Sequence, residues 1–542
     1  MAAPSFFTYT ARSPASGYLA SGGYAMRRYL PFLVLFLFYC WVAWVARGGD
    51  TWWHIDILVQ NPYTGIFWGD DAYRFFLARH DWSEQGLYSF NFALPGAVIL
   101  DRVLAELISH NQIHVRYALA ALSAATIYMV FRGAKYLTDD TRLSALSAFL
   151  LALMPLYALV SLSFYGESWM MFFISAITLS FFLGHVRLST ILVALLPLIR
   201  PEGIVFVLAF CLYGLIRRDW VTFFLAPSLG FAYLCYLIFW GAGLEPFWGW
   251  RESMWQAQSP DRNELYGDLS DITRAFTVFW IVPAAIGAFA REVRPYWPFA
   301  LAVFLFCIGQ SVLIATNGIY AEIRYFTPVF PLIAVFWAVG VRKLINGIKA
   351  RSSLKPSWIL VPLAVYIFLF HITQLDVVRQ VAEYRFEHGK WPKIEQDHFT
   401  EAFFRNFDED YLENMRVLAS SLHKTLETNP DIDVMMVSLM QLYHFLDPGR
   451  IPDHVTVVFP TLGWTAQKKL YGDRGAGYFA KPPFGGYFTP TYPESGQPKM
   501  LYVGNMGDIE YEHHRKVGTK DVYLFGYRFQ KEYTPGSRRE KP

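Results

Sequence analysis

The sequence carries little charge for its length. Only 17% of its 542 residues are Asp, Glu, Lys or Arg, and 54% are hydrophobic, whereas soluble proteins carry about 25% charged residues. Two stretches, 29–46 and 298–315, contain no charged residue at all. Each is close to the length of about 20 residues that crosses a hydrocarbon core as one helix. The composition argues against an ordinary soluble protein and predicts a polytopic membrane protein.

Cysteine is also scarce, and the net charge is small. The four cysteines all lie inside predicted membrane spans, at Cys40, Cys211, Cys235 and Cys307. We therefore expect neither a disulfide framework nor a structural zinc site. The formal net charge of +3 is too small to indicate a nucleic-acid partner.

The N-terminus lacks the pattern of a cleavable signal peptide. A polar segment ends in Arg27 and Arg28, and the apolar run that follows is longer than a typical signal core. No small-residue cleavage pattern follows that run. We expect residues 1–28 to be a cytoplasmic segment and the run after it to be the first membrane helix.

Apolar runs and their breaks predict about eleven membrane spans. They lie near 29–46, 114–131, 143–162, 169–185, 189–199, 203–216, 220–240, 275–290, 298–316, 327–341 and 358–375. Lys and Arg concentrate in one set of connections, at Arg27, Arg28, Arg132, Lys135, Arg142, Arg187, Arg217, Arg218, Arg291, Arg294 and between Arg342 and Lys355. Basic loops stay on the cytoplasmic side. The long connections 47–113 and 241–274 are therefore predicted to lie outside.

The composition changes after residue 376, where long apolar runs stop. A polar segment of helical pattern covers 379–415, and short β-like runs follow at 433–438, 455–460, 500–504 and 521–529. Gly- and Pro-rich stretches separate these runs, as is typical of turns between strands. The sequence predicts a mainly α protein, with a transmembrane helix bundle over 29–375 and a soluble α/β domain outside the membrane over 376–542.

Two adjacent carboxylates, Asp70 and Asp71, lie in the long first external loop, within FWGDDAYRFF. From Asp70 onward the residues have the pattern of a helix on the membrane surface, with Arg74 towards water. The carboxylates would begin that helix, where its dipole favours negative charge. The spacing fits a helix cap as well as a reactive site. A second adjacent pair, at 139–140, falls on the cytoplasmic side among basic residues and reads as a solvated turn.

Three further charged clusters lie at predicted external ends of spans. Glu167 stands within SFYGESWMMFF, Arg200 and Glu202 interrupt a hydrophobic run, and Arg324 and Tyr325 begin a span. Each cluster also has a purely structural explanation. Glu167 could be an interfacial carboxylate, and Arg200 and Glu202 could neutralise each other in a turn. Arg324 and Tyr325 could extend, or snorkel, to the membrane interface. Charges near lipid are costly unless they are paired or functional. Their gathering at one face therefore indicates a site.

Together these clusters resemble the GT-C superfamily of integral-membrane glycosyltransferases, in its bacterial type. An acidic pair in the first external loop, followed by a surface helix in the form DDAYRFFLAR, is similar to that family's signature. GESWMMFF is similar to its Gly-x-Glu element, and RPEG and the late RY to further elements. The resemblance covers most of 29–340 and none of the residues after the bundle.

The resemblance implies a membrane enzyme that moves a single sugar, hexose or pentose, from a polyprenyl-phosphate carrier to a hydroxyl of an extracytoplasmic lipid, glycan or protein. Asp70 is the expected general base, and Asp71 is the second choice or orients it. Glu167 would hold the acceptor or share the work of the base. The donor phosphate and substrate would be bound by Arg324, Tyr325, Arg200, Glu202 and Arg74, since guanidinium groups bind phosphate through two hydrogen bonds.

A one-step attack opposite the leaving phosphate would invert the configuration of the sugar, and we expect that no metal ion is required. A divalent cation (Mg²⁺, Mn²⁺ or Ca²⁺) that bridges Asp71 and the donor phosphate is the one cofactor left open, because these are hard oxygen ligands. The expected location is the bacterial inner membrane, with many spans and the active site on the periplasmic side. The expected partners are the lipid-linked donor, membrane lipid and the acceptor.

Two other functions fit parts of the pattern. A transporter or flippase of lipid-linked sugars would place carboxylates at the middle of the membrane and show an internal repeat, and neither is evident in the sequence. An oligosaccharyltransferase or ligase would use a pyrophosphate-linked glycan. The chain lacks a WWDYG-like motif in its external part, which weakens that alternative.

Overall fold

The structure is a computed structural model of the 542-residue chain. It describes residues 22–45, 70–79, 94–240, 278–315, 323–350 and 357–373, together with short segments between 419 and 525. The described residues up to 373 are helical, and the strands all follow residue 431.

The helices are numbered in chain order within the described residues. They are α1 Gly22–Val45, α2 Asp70–Arg79, α3 Pro95–Ile108, α4 Gln112–Thr138, α5 Thr141–Ala152, α6 Pro155–Ser161, α7 Gly166–Phe182, α8 Val186–Ile199, α9 Ile204–Arg217, α10 Trp220–Trp240, α11 Val278–Ala288, α12 Trp297–Ala315, α13 Phe330–Lys349 and α14 Ser357–Thr373. Short 3₁₀ turns cover Pro201–Gly203, Arg294–Tyr296 and Ile323–Val329.

Several of these helices can cross a membrane. Gln112–Thr138, Arg294–Leu313 and Arg324–Lys349 are long and apolar enough to do so individually. Shorter apolar helices are Leu30–Trp44, Gly166–Phe182, Val186–Ile199, Trp220–Tyr236, Phe279–Ala288 and Leu360–Leu369. Helices therefore occupy the predicted apolar runs, while the count of eleven spans stays a prediction.

The predicted span 143–162 is broken in the structure. Helices α5 and α6 meet at an angle of 70°, with Pro155 as the first residue of α6. Proline has no N–H to donate and clashes with the preceding turn, so a straight helix cannot pass through it. The bend directs the chain into the turn 162–165, from which α7 begins at Gly166.

Helix α4 is central to the bundle and packs against α1, α5, α7 and α13. The interior contains large fully buried side chains, including Trp337 and Tyr157. Because lipid offers no hydrogen bonds, buried polar groups find partners within the protein. The Trp337 indole N–H donates to the Phe279 carbonyl at 2.8 Å, and the Ser147 hydroxyl donates to the Ala334 carbonyl at 2.5 Å.

Helices α11 and α13 pack with their backbones in direct contact. A Cβ added to Gly287 would overlap the carbonyl oxygen of Phe336, and one added to Gly340 would overlap that of Pro283. Small residues permit such close approach, which replaces the missing hydrophobic force between membrane helices by van der Waals contact. Glycine is therefore required at both positions.

After residue 431 the described residues include five short strands. They are β1 Ile432–Val437, β2 Thr456–Val458, β3 Lys499–Val503, β4 Arg515–Val517 and β5 Lys520–Phe525. Their order in the sheet is β2-β1-β3-β5-β4, with all neighbours parallel except β4 and β5. Strands occur at the predicted β-like runs, whereas a separate α/β domain over 376–542, like the other predicted domain bounds, stays a prediction.

Candidate active site

A helix begins at Asp70, as the sequence predicts, and forms α2, while its predicted place on the membrane surface stays a prediction. Its surroundings differ from the prediction for Arg74, which was expected to face water and is buried together with Phe75 and Phe76. The reason is that α2 packs against α3, and the Phe75 ring stacks on Phe164 at 4.5 Å. Tertiary packing therefore covers the face that the amphipathic pattern assigned to solvent.

Asp71 is fully buried and forms an ion pair with Arg116 of α4. Its other carboxylate oxygen accepts a hydrogen bond from the Phe164 N–H at 2.6 Å, and Arg116 also donates to the Leu162 carbonyl at 2.9 Å. Burial raises the pKa of the Asp71 carboxyl, and Arg116 and the Phe164 N–H act in the opposite direction. Asp71 thus joins α2 to α4 and to the turn before α7.

The contacts of Asp71 can be compared with two further predictions for the acidic pair, namely a divalent cation at Asp71 and Asp70 as the general base. A divalent cation at Asp71 fits poorly, because both of its oxygens already accept from protein donors and one donor is a cation. A divalent cation at Asp71 and a reaction that needs no metal ion both stay predictions. The side chain of Asp70 lies outside the described residues, so its predicted role as the base also stays a prediction.

Glu167, Arg200 and Glu202 meet in one network, in which Glu167 is buried and the other two side chains are partly buried. Arg200 binds Glu202 through two hydrogen bonds of 3.1 and 2.8 Å, and its Nη1 lies 2.5 Å from Glu167 Oε1. The predicted mutual neutralisation of Arg200 and Glu202 is present, but Arg200 also reaches Glu167. Gln310 donates to Glu202 at 3.1 Å. The second oxygen of Glu167, Oε2, is buried and has no hydrogen-bond partner among the described residues.

A glycine beside Glu167 makes this network possible. A Cβ added to Gly166 would lie 2.9 Å from both Arg200 Cγ and the Ile199 carbonyl oxygen. Real Cβ atoms do not come so close to other heavy atoms, so only glycine lets the two segments meet here. The Gly-Glu pair noted in the sequence therefore has a steric reason.

The rings of two buried tyrosines, Tyr165 and Tyr325, lie against the guanidinium groups of three arginines. The guanidinium of Arg324 lies 4.3 Å from the centre of the Tyr165 ring, and that of Arg74 lies 5.5 Å from it. Arg324 and Arg200 lie 5.3 and 5.4 Å from the Tyr325 ring. Cations are attracted to aromatic faces at about 6 Å or less. Arg74, Arg200, Arg324, Tyr165 and Tyr325 are called the arginine–tyrosine cluster below.

The arginine–tyrosine cluster brings three guanidinium groups close to several carboxylates. Glu167 and Glu202 bind Arg200, and the charge of Arg74 acts on the carboxyl groups of Asp71 and Asp101. With the Asp71–Arg116 pair included, four guanidinium groups and four carboxyl groups meet among these described residues. Guanidinium groups bind phosphate oxygens through charge-assisted hydrogen bonds. The arrangement can therefore bind an anion beside the Glu167 carboxylate.

Sequence reasoning missed four residues of this region, namely Arg116, Asp101, Tyr165 and Gln310. Asp101 is fully buried, and its carboxylate accepts from the Trp169 indole N–H at 2.7 Å. Burial raises the pKa of Asp101 well above its ordinary value. Arg116 and Gln310 could have been found, since each is a polar residue inside a predicted apolar span. Tyr165 gave no signal of its own.

The fold places this region among known structures. The crystal structure of ArnT from Cupriavidus metallidurans bound to undecaprenyl phosphate matches with a TM-score of 0.50 and 14% identity, over 83% of this chain and 89% of that chain. The likeness shows that the chain shares the fold of ArnT. At 14% identity it concerns architecture, and the activity must be argued from the site.

The other comparisons add little to this likeness of fold. The structure of ArnT from the same organism in the apo state matches with a TM-score of 0.46 and 15% identity, over 81% of this chain and 88% of that chain. No protein family and no curated protein matches the sequence.

Proposed function

We propose that this chain is a membrane glycosyltransferase that moves a single sugar from a polyprenyl-phosphate carrier to a hydroxyl group outside the cytoplasm. The observation that carries the proposal is the arginine–tyrosine cluster, whose three guanidinium groups converge on two tyrosine rings beside the Glu167 carboxylate. The GT-C fold supports it, because the ArnT structure of the same fold is bound to undecaprenyl phosphate.

The arginine–tyrosine cluster would bind the donor phosphate. Arg324 and Arg74 stack on the same tyrosine ring, so their guanidinium groups are already oriented before a ligand arrives. Pre-oriented donors stabilise developing charge without reorganisation. When the bond between the anomeric carbon and the phosphate oxygen breaks, polyprenyl phosphate leaves with the bonding electron pair, and the cluster stabilises that charge.

The acceptor oxygen would attack the anomeric carbon and lose its proton to a carboxylate. Asp70 is our choice for this base, with Asp71 as the residue that orients helix α2 through its ion pair with Arg116. Glu167 would hold the acceptor hydroxyl through Oε2, the buried oxygen that the described residues leave without a hydrogen-bond partner. One-step displacement by this route inverts the configuration of the sugar and needs no metal ion.

The placement of the enzyme follows from the same proposal. The chain would lie in a bacterial inner membrane as a multi-pass protein, with the arginine–tyrosine cluster on the periplasmic side and residues 376–542 as a domain on that side. The acceptor would be a lipid, a glycan or a protein presented there. The carrier's prenyl chain would remain in the membrane while its phosphate reaches the arginines.

The test is transfer from labelled polyprenyl-phosphate sugar in membranes that contain the protein. Asp70→Asn, Glu167→Gln and Arg324→Ala should each reduce transfer, by about 10²-fold or more where a base is removed. Matched controls are Glu106→Gln and Arg102→Ala, because these residues form an exposed pair on α3 at 3.8 Å. Full activity in all three site variants would contradict the proposal, and a donor that is bound but never consumed would favour a flippase.

A further inference from the structure

A large cavity lies at the other end of α4 from Arg116. It has a volume of about 1030 Å³ and is lined by residues of α1, α4, α5 and α7. Arg116 and Lys135 are 19 residues apart on one helix, which corresponds to about 28 Å at 1.5 Å per residue. A hydrocarbon core is about 30 Å thick. The cavity and the candidate active site therefore lie near opposite faces of the membrane.

The lining of this cavity is amphipathic. Arg132 and Lys135 supply positive charge at one part of the wall, while Phe32, Leu146 and Leu179 are among its apolar residues. Neither cation forms an ion pair with a carboxylate in the described part of the chain, although both are half-buried. Half-buried charge near lipid is unfavourable unless a counter-charge is present.

One of the two cations is already held in position. Arg132 donates to the Tyr128 hydroxyl at 2.8 Å and stacks over the same ring at 5.7 Å. Asp139 also lines the cavity, where it is exposed to water. Two positive charges and one negative charge leave a net charge of +1. A pocket of this charge between membrane helices is complementary to an anionic headgroup.

The exposed apolar residues at the cavity show how a lipid would enter. Phe149 and Leu183 line it and are 51% and 49% exposed, so the cavity opens sideways to the hydrocarbon region. Basic residues are concentrated at this end of the bundle, which the positive-inside rule assigns to the cytoplasm. A lipid of the cytoplasmic leaflet can thus place its phosphate at Arg132 and Lys135 and its chains along the apolar wall.

We propose that this cavity is a binding site for an anionic phospholipid of the cytoplasmic leaflet. The site is separate from the glycosyl-transfer site and does not depend on the proposed function. Its phosphate ligands are Arg132 and Lys135, and its chain-binding wall is formed by α1, α5 and α7.

The test is lipid binding by the purified full chain in detergent, without any sugar donor. Phosphatidylglycerol should raise the thermal unfolding temperature and remain bound in native mass spectrometry, and phosphatidylcholine with the same acyl chains should do neither. Soluble glycerol 3-phosphate should also have no effect, because it has no acyl chains that could contact the apolar wall. Equal effects of the two phospholipids, or no effect in the full chain, would overturn the proposal.

Two variants locate the effect in this cavity. Arg132→Gln/Lys135→Gln should weaken phosphatidylglycerol binding about tenfold or more, because two charge-assisted contacts are lost. Ala145→Trp should weaken it without removing a charge, since Ala145 lines the cavity. Arg187→Gln/Arg217→Gln removes two exposed charges that do not line it, and should bind like the parent chain. Unchanged binding in both cavity variants would place the lipid elsewhere and overturn the assignment.

Discussion

At the scale of single residues, the structure describes the surroundings of Asp71, the second member of the acidic pair. Asp71 is fully buried and its oxygens are bound by Arg116 and the Phe164 N–H. A carboxylate so engaged is suited to hold α2 in place. In the proposed reaction the base must reach the acceptor hydroxyl, and Asp70 is the residue that we propose for that role.

The anchoring role of Asp71 can be tested by stability. Asp71→Asn or Arg116→Met alone should destabilise the protein by roughly 3–5 kcal/mol, because each leaves an uncompensated buried partner. The double variant Asp71→Leu/Arg116→Met should recover part of that loss. Thermal unfolding in detergent measures both effects. A normal unfolding temperature for both single variants would show that the ion pair does not anchor α2.

Gly166 gives a second prediction at this scale. Gly166→Ala should lower transfer, since its Cβ would lie 2.9 Å from Arg200 Cγ and displace Arg200 from Glu167. Gly309→Ala is the matched control, because a Cβ at Gly309 meets nothing within 4 Å and alanine suits a helix better than glycine. The comparison uses initial rates at matched protein levels. Equal rates for the two variants would contradict the steric account of the Gly-Glu pair.

At the scale of elements, sequence patterns located the apolar helices after residue 112 because length and apolar composition are local properties, whereas helix α3, within the predicted external loop 47–113, was not predicted. The break at Arg200–Gly203 was also predictable, since Pro201 and Gly203 interrupt the apolar run. The sharp bend before Pro155 was not predicted, because proline inside an apolar run can begin a new helix as well as kink one.

Other features depend on contacts between distant segments, and local patterns cannot show them. Asp71 and Arg116 are 45 residues apart in sequence, so their ion pair was not foreseen. The burial of Arg74 follows from packing of α2 on α3, while the amphipathic pattern assigned it to solvent. The clustering of charges at one end of the bundle was predictable, but the tyrosine rings that join them were not.

The contact between α11 and α13 gives an element-scale prediction. Gly340→Ala should reduce folded protein in membranes, because its Cβ would overlap the Pro283 carbonyl and separate the helices; overpacking costs about 1–3 kcal/mol or more. Gly347→Ala is the control on the same helix, where a Cβ meets nothing within 4 Å. Fluorescence-detected size exclusion measures the folded fraction. Equal folded fractions would show that α11 and α13 tolerate separation.

At the scale of the whole molecule, the two ends of helix α4 have different surroundings. The arginine–tyrosine cluster lies towards one end of α4, and the basic cavity lies towards the other. Single cysteines at Leu107 and Arg187, both exposed, should be labelled from opposite sides of sealed vesicles by a membrane-impermeant maleimide. Both single cysteines are introduced into a chain whose native cysteines have been replaced by serine. Labelling of both positions from one side would contradict the predicted orientation.

The proposed function requires that the protein consume a polyprenyl-phosphate sugar. The most direct measurement is incubation of the reconstituted full chain with a panel of such donors and an extract of membrane acceptors, followed by mass spectrometry. One donor should disappear while free polyprenyl phosphate and an acceptor heavier by one sugar form in equal amounts, and Arg324→Ala should abolish both products. If every donor remains intact, or only changes leaflet, the account of this site as a glycosyltransferase centre is wrong.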